Sequence, residues 1–199
     1  MSAVAHLRAA TRASHQHLER HLDVKARFGS RDAYQAHLKL MWGVCAVLEG
    51  RFPLGFFGEA LGDYELRRKL PLLTRDLIAL GMDAVTVPSL PRCPGLPKCD
   101  DVAAAFGCVY VLEGATLGGR TLLPLVETNL GLTAAHGAAF LSSYGDQLSE
   151  MWRLFGVALD AWCSTAERLV SADVAAVATF VSLDSWLCGK PVIPRTTHL

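Results

Sequence analysis

Apolar and small residues recur at steps of three and four along almost the whole chain, and almost no segment alternates with the two-residue period of a strand. A chain patterned this way has to bury helix stripes against other helices, so the expected fold class is all-α, a single-domain multi-helical bundle. Residues 3–22 combine helix-favouring Ala, Leu, Arg and Glu with apolar residues at helical spacing. Ser30 precedes a second helix, about 31–50, in which Tyr34, Leu38, Met41, Cys45 and Leu48 share one face, and Gly50 and Pro53 end it. Residues 54–63 read as irregular. A third helix is expected from about Asp63 to Leu80, stopped by Gly81, with Pro71 as a kink or break point.

Four prolines make residues 84–98 a long loop. Asp100 or Asp101 then caps a long helix, about 101–128, closed by Asn129 and Gly131. Thr133 opens a short helix to about Leu141, Ser142 or Ser143 starts one running to about Leu169, and Ser171 caps a last helix, about 172–188. Residues 1–188 thus form one domain of about seven helices. Residues 189–199 are expected to be an extended, mobile tail.

Charge and cysteine usage narrow the function classes. Lys plus Arg and Asp plus Glu number 19 each, and no basic block or nucleic-acid-binding signature is present. No uninterrupted apolar run of about 18 residues suggests a membrane span, and the N-terminus lacks the apolar core of a signal peptide. Six scattered cysteines without a C-x-x-C read as reduced thiols, which points to the cytoplasm. Cys93-Pro94 is read as loop sequence. There is no Glu-x-x-His, H-E-x-x-H, G-x-S-x-G or G-x-G-x-x-G. Neither Cys108 nor Cys163 has a base nearby in sequence to make it a nucleophile.

Two constellations remain. Arg8, Arg12, His15 and Glu19 follow one another at steps of four, three and four, within a sector of roughly 60° on the first helix. The imidazole can ligate iron through one nitrogen while a neighbouring acceptor holds the other N–H. Arg8 lies about 10 Å along the helix from His15, a distance that suits the acidic edge of a porphyrin. The same spacing equally describes a solvated face with weak ion pairs. His17 and His21 form a further i, i+4 pair, far around the helix from His15. Without a third ligand in the sequence they read as surface histidines, and His6, His37, His136 and His198 as structural or solvated.

The second constellation is the run from Gly107 to Arg120. Gly114, Gly118 and Gly119 lie within six residues of a strong helix pattern, and each glycine costs a helix about 1 kcal/mol relative to alanine. Gly114, Ala115, Gly118 and Gly119 share a face flanked by Val111 and Leu122. That nearly bare backbone suits either a tightly packed helix or a flat ligand.

Thr11-x-x-x-His15-x-x-x-Glu19 resembles the proximal helix of the heme oxygenase family. Tyr110-Val111-Leu112-Glu113-Gly114-x-x-Leu117-Gly118-Gly119 resembles the distal helix of its bacterial, biliverdin-producing members, such as those associated with bacteriophytochromes. Tyr144-Gly145 and Trp152-x-x-Phe155 extend the resemblance over most of the chain. The resemblance implies a heme oxygenase-like bundle with His15 as axial iron ligand and Glu19 as its support. It puts Gly114, Ala115, Gly118 and Gly119 in the catalytic distal wall. It also places Arg8, Arg12, Val111, Tyr144 and Arg153 around the heme, the arginines toward its propionates. Heme would be both substrate and cofactor, cleaved with O₂ and electrons from an external donor such as a ferredoxin or ascorbate. The products would be biliverdin, CO and iron, with a bacteriophytochrome as a biliverdin acceptor. Ala115 stands where animal-type members carry an aspartate that organises distal water, and Val157 where they carry a second basic residue. The competing readings are a heme-binding carrier without turnover and a heme-free, thiaminase-like relative.

Overall fold

A computed structural model describes residues 2–189, and the expected tail beyond Gly189 lies outside them. Among the described residues the chain forms α1 (Ala3–His21), α2 (Val24–Arg27), α3 (Arg31–Arg51), α4 (Tyr64–Arg67), α5 (Leu70–Ala79), α6 (Val102–Leu130), α7 (Ala139–Ser142), α8 (Leu148–Trp162) and α9 (Ala166–Cys188). Short 3₁₀ turns at Gly58–Leu61, Val87–Ser89 and Gly145–Gln147 join them. No strand forms among these residues, and only isolated bridges at Thr133 occur.

Caps account for the helices that start where expected. The Ser30 hydroxyl accepts from the Ala33 amide at 3.2 Å, and the Asp101 carboxylate accepts from the Ala104 amide at 2.8 Å. Gly131, at φ +64°, closes α6 in the left-handed conformation that glycine adopts without strain.

Four expected boundaries are corrected. The helix expected over 63–80 splits in two, because Arg68 is extended and Pro71 sits in the first turn of α5, where its missing N–H leaves no bond unmade. Glu49, from α3, caps this new start by accepting from the Lys69 and Leu70 amides at 2.7 and 3.0 Å. Residues 133–138 form a turn rather than a helix. α7 follows, capped by Asp76 of α5, which accepts from the Ala139 and Phe140 amides at 2.8 and 2.7 Å. The single helix expected over 142–169 breaks at Ser143, whose φ is +42°, and again at Cys163. Thr165, not Ser171, caps the last helix, its hydroxyl accepting from the Arg168 amide at 3.3 Å.

Packing centres on α9, which lies along α6 on one side and α1 on the other, while α1 and α6 make little contact with each other. α8 crosses near α1 and α6, and α3 backs α5. An aromatic cluster of Phe52, Phe57, Tyr64, Phe106 and Phe155 fills the core, with the Phe57 and Tyr64 rings 4.5 Å apart. By length and composition α6 and α9 could each cross a bilayer, contrary to the expectation of no such segment. In this fold most apolar residues of α6 are buried in the helix–helix core, whereas α9 buries one face there and leaves Val170, Val174 and Val181 exposed.

His37 is buried on α3 with its ring 5.1 Å from Phe28. Burial, with Arg27 nearby, lowers its pKa from 6.5 to about 4. The unfolded chain therefore binds a proton that the folded chain does not as pH falls through this window. The stability present above pH 6.5 should drop by roughly 3 kcal/mol toward pH 4. Urea denaturation at several pH values should show that loss, and His37→Gln should flatten it. An unchanged slope in the variant would assign the acid sensitivity elsewhere.

Candidate functional site

The α1 constellation is a solvent-facing row. Arg8, Arg12, His15 and Glu19 are all exposed, whereas Ala3, Leu7 and Thr11 form the buried stripe beside them. Thr11 is held down by its hydroxyl, which donates to the Leu7 carbonyl at 2.7 Å. His15 Nδ1 approaches Glu19 Oε2 at 3.4 Å, the contact expected from the i, i+4 spacing. With Nδ1 turned to a carboxylate, Nε2 is the nitrogen left to present a lone pair outward. Phe180 of α9 meets the His15 ring edge-to-face at 5.4 Å and limits its swing.

The α6 glycines divide into two kinds. An alanine Cβ at Gly114 or Gly118 would meet nothing within 4 Å, and Ala115 and Gly118 are exposed. A Cβ at Gly119 would lie 3.2 Å from the Leu141 carbonyl, so Gly119 belongs to the contact with the α7 segment. At Gly107, which sequence reasoning did not single out, a Cβ would fall 2.1 Å from the Ala172 carbonyl. That glycine is what allows α6 and α9 to cross so closely. The open face is therefore narrower than expected: Gly114, Ala115 and Gly118, with Val111 buried at its edge.

Beneath this face lies a buried ionic cluster. Glu113, only 2 % exposed, accepts from Arg67 Nη1 at 3.0 Å and from the Tyr144 hydroxyl at 2.7 Å, and Lys69 Nζ stands 3.3 Å from it. Arg67 also forks onto Asp63 at 2.8 and 2.6 Å and donates to the Met151 carbonyl at 3.1 Å. Lys69 donates to the Ser143 hydroxyl at 3.2 Å and lies over the Tyr144 ring at 3.8 Å. Burial lowers the Lys69 pKa, opposed by Glu113, and desolvation beside Glu113 pushes the Tyr144 phenol well up.

Two expected cofactor contacts are engaged elsewhere. The Tyr144 hydroxyl is committed to Glu113, inside the protein. Arg153 is exposed on α8 and forks onto Glu150 at 2.8 and 2.7 Å, a pairing that holds the Glu150 carboxyl below its ordinary range. Sequence reasoning missed Arg67, Lys69 and Phe180. Arg67 and Lys69 lie far along the chain from Glu113, and Phe180 far from His15, so no local pattern marks these contacts.

These residues fit a flat, acidic macrocycle with a metal at its centre. α1 offers an outward imidazole nitrogen beside a carboxylate with cations on the same face, and α6 offers a stretch of backbone that two missing Cβ atoms leave open. Both helices rest on α9 without closing on each other.

The architecture is that of the heme oxygenase fold. The solved heme oxygenase of Neisseria meningitidis, studied with NO and CO bound, superposes with a TM-score of 0.82 at 24% identity, covering 96% of this chain and 92% of that one. The Leptospira interrogans enzyme superposes at 0.76 with 17% identity, covering 95% of this chain and 100% of that one. Heme oxygenase 2 of Chlamydomonas reinhardtii, solved without heme, gives 0.75 at 16% identity, covering 98% and 100%. A heme oxygenase of Xanthomonas campestris pv. campestris is 29% identical over 148 residues, 69% of this chain and 83% of its own. The heme oxygenase family model matches residues 1–187, and the chain belongs to that family. It is an enzyme of the heme-degrading class.

The division of the glycines has a direct consequence. In the heme-free protein Gly114→Ala and Gly118→Ala should each raise stability by about 0.5–1 kcal/mol, because helix propensity is gained and nothing is struck. Gly107→Ala should lower it by about 1–3 kcal/mol through overpacking. Urea denaturation measures all three. Destabilisation by Gly118→Ala as large as that by Gly107→Ala would mean that the face is closed by packing.

The ionic cluster supports a second test. Arg67→Met should destabilise by about 1–3 kcal/mol, leaving Glu113 with only Lys69 and Tyr144 and Asp63 without its guanidinium. The double variant Arg67→Met/Glu113→Leu should recover a good part of that loss. A double variant no better than the sum of its singles would show that the two residues do not act as a pair.

Proposed function

We propose that this chain cleaves heme with O₂ and externally supplied electrons to biliverdin, CO and iron, holding it between His15 on α1 and the open face of α6. The observation that carries this reading is the pairing of an exposed, carboxylate-steadied imidazole with a glycine face that no protein atom needs. Gly114 and Gly118 each cost the helix about 1 kcal/mol, and packing does not account for that cost.

Each residue then has a task. His15 Nε2 would ligate the heme iron, and Glu19 would fix the tautomer by holding the Nδ1 proton. Phe180 sets the ring plane. Arg8 and Arg12, with Arg153 on releasing Glu150, would neutralise the propionates and so fix how heme is turned in the site and which isomer it yields. Gly114, Ala115 and Gly118 would let the ring approach the backbone closely. They leave room for water held by backbone carbonyls, since Ala115 has no carboxylate to hold it. Heme supplies the redox chemistry. A ferredoxin-type protein or ascorbate would supply electrons, and a bacteriophytochrome would take up the biliverdin.

Hemin added to the full chain should give a Soret band, and ascorbate should convert it to biliverdin. His15→Ala should weaken the band and abolish turnover. Hemin bound but never consumed would make the protein a carrier, and undiminished turnover in His15→Ala would remove the ligand assignment. Arg12→Ala should alter the ratio of biliverdin isomers; an unaltered ratio would leave Arg12 as an ordinary surface charge.

A further inference from the structure

His17 and His21 lie one turn apart on α1, on the flank turned away from His15. The sequence shows no third ligand for them, but the fold brings one. Asp184 of α9 reaches both histidines: His21 Nδ1 is 3.0 Å from Asp184 Oδ1, and His17 Nε2 is 3.5 Å from Asp184 Oδ2. The two imidazole rings stand 4.1 Å apart at 89°, and one donor atom from each of the three residues lies within 4.8 Å of the others.

We propose that His17, His21 and Asp184 form a binding site for a divalent transition-metal ion of the zinc class, separate from the heme site. Donors bonded at about 2.0–2.1 Å to a tetrahedral ion stand about 3.3–3.4 Å from one another. The three donor atoms, one per residue and all within 4.8 Å of one another, are in part wider apart than that. Rotation of the Asp184 carboxylate, which now turns one oxygen to each histidine, brings a single oxygen to both. Two neutral imidazoles and one carboxylate are a donor set that binds zinc, nickel and copper. His17 is about half exposed, so an ion can enter from solvent and keep water in its remaining positions. At about 100° per residue, His17 and His21 point some 120–160° away from His15 around α1. An ion bound here therefore does not compete for the heme ligand. It would tie α1 to α9, the two helices whose contact places His15 against Phe180.

The test titrates Zn²⁺ alone into the full-length, tag-free, heme-free protein against a chromogenic chelator, with melting curves in parallel. One high-affinity Zn²⁺ per chain and a raised Tm are expected. His17→Gln and Asp184→Asn should each weaken the affinity by about tenfold or more and remove the Tm increase. His15→Ala should retain both. His17 is on the surface, so His17→Gln tests the site even if Asp184→Asn disturbs folding. Equal Zn²⁺ affinity in wild type and His17→Gln, or loss of binding in His15→Ala, would overturn the assignment. Heme binding and turnover are measured separately, so failure here leaves the heme reading intact.

Discussion

The carboxylate of Glu113, buried and shared among Arg67, Lys69 and Tyr144, governs how α6 is presented to the rest of the molecule. A helix can slide and rotate on an apolar bed at small cost, because apolar contacts are not directional. A buried carboxylate with three fixed partners cannot turn without leaving a charge unpaired in the interior, and that costs several kcal/mol. Such a cluster adds little net stability over an apolar substitute. Its effect is to select one rotation of α6. With Glu113 turned inward, the next residue along the helix, Gly114, is turned toward the open side, and Gly118 lies one turn beyond it on the same face.

The cluster also joins pieces that the chain delivers separately. Arg67 ends α4, Lys69 precedes α5, and Tyr144 sits in the kink between α7 and α8. Each breaks a longer helix that periodicity alone suggests, and each break places a polar side chain on Glu113. Breaking these helices removes local hydrogen bonds, and capping from other helices offsets the loss: Glu49 receives the first amides of α5, and Asp76 those of α7.

Much of this was legible in the sequence, and the limits have a physical cause. The 3.6-residue period identified the long helices, and Ser30 and Asp101 marked starts because their capping bonds reach only three residues ahead. The starts of α5 and α7 were hidden because their caps come from α3 and α5. The i, i+4 approach of His15 and Glu19 is local to a helix, so its spacing revealed it. Arg67 and Glu113 are 46 residues apart, and no local pattern distinguishes that arginine from Arg68 beside it. The glycine run announced that something approaches α6, but could not say which glycine meets what. Gly119 and Gly107 face neighbouring helix backbones, and Gly114 and Gly118 do not.

α9 links these arrangements. It packs against α6 through Ala172 and Gly107, so closely that no Cβ is tolerated between them, and it contacts α1 through residues of differing chemistry. Asp173 meets His6 Nε2 at 2.6 Å, Phe180 meets His15, and Asp184 meets His17 and His21. The α6–α9 seam is thus set by steric contact of backbones, and such contacts do not stretch. The α1–α9 seam adds histidine–carboxylate and ring contacts to the buried stripe of Ala3, Leu7 and Thr11, with the histidines partly exposed and Asp173, Asp184 and Phe180 mostly buried. α9 thus positions α1, the helix that carries the candidate iron ligand, through contacts at His15, His17 and His21.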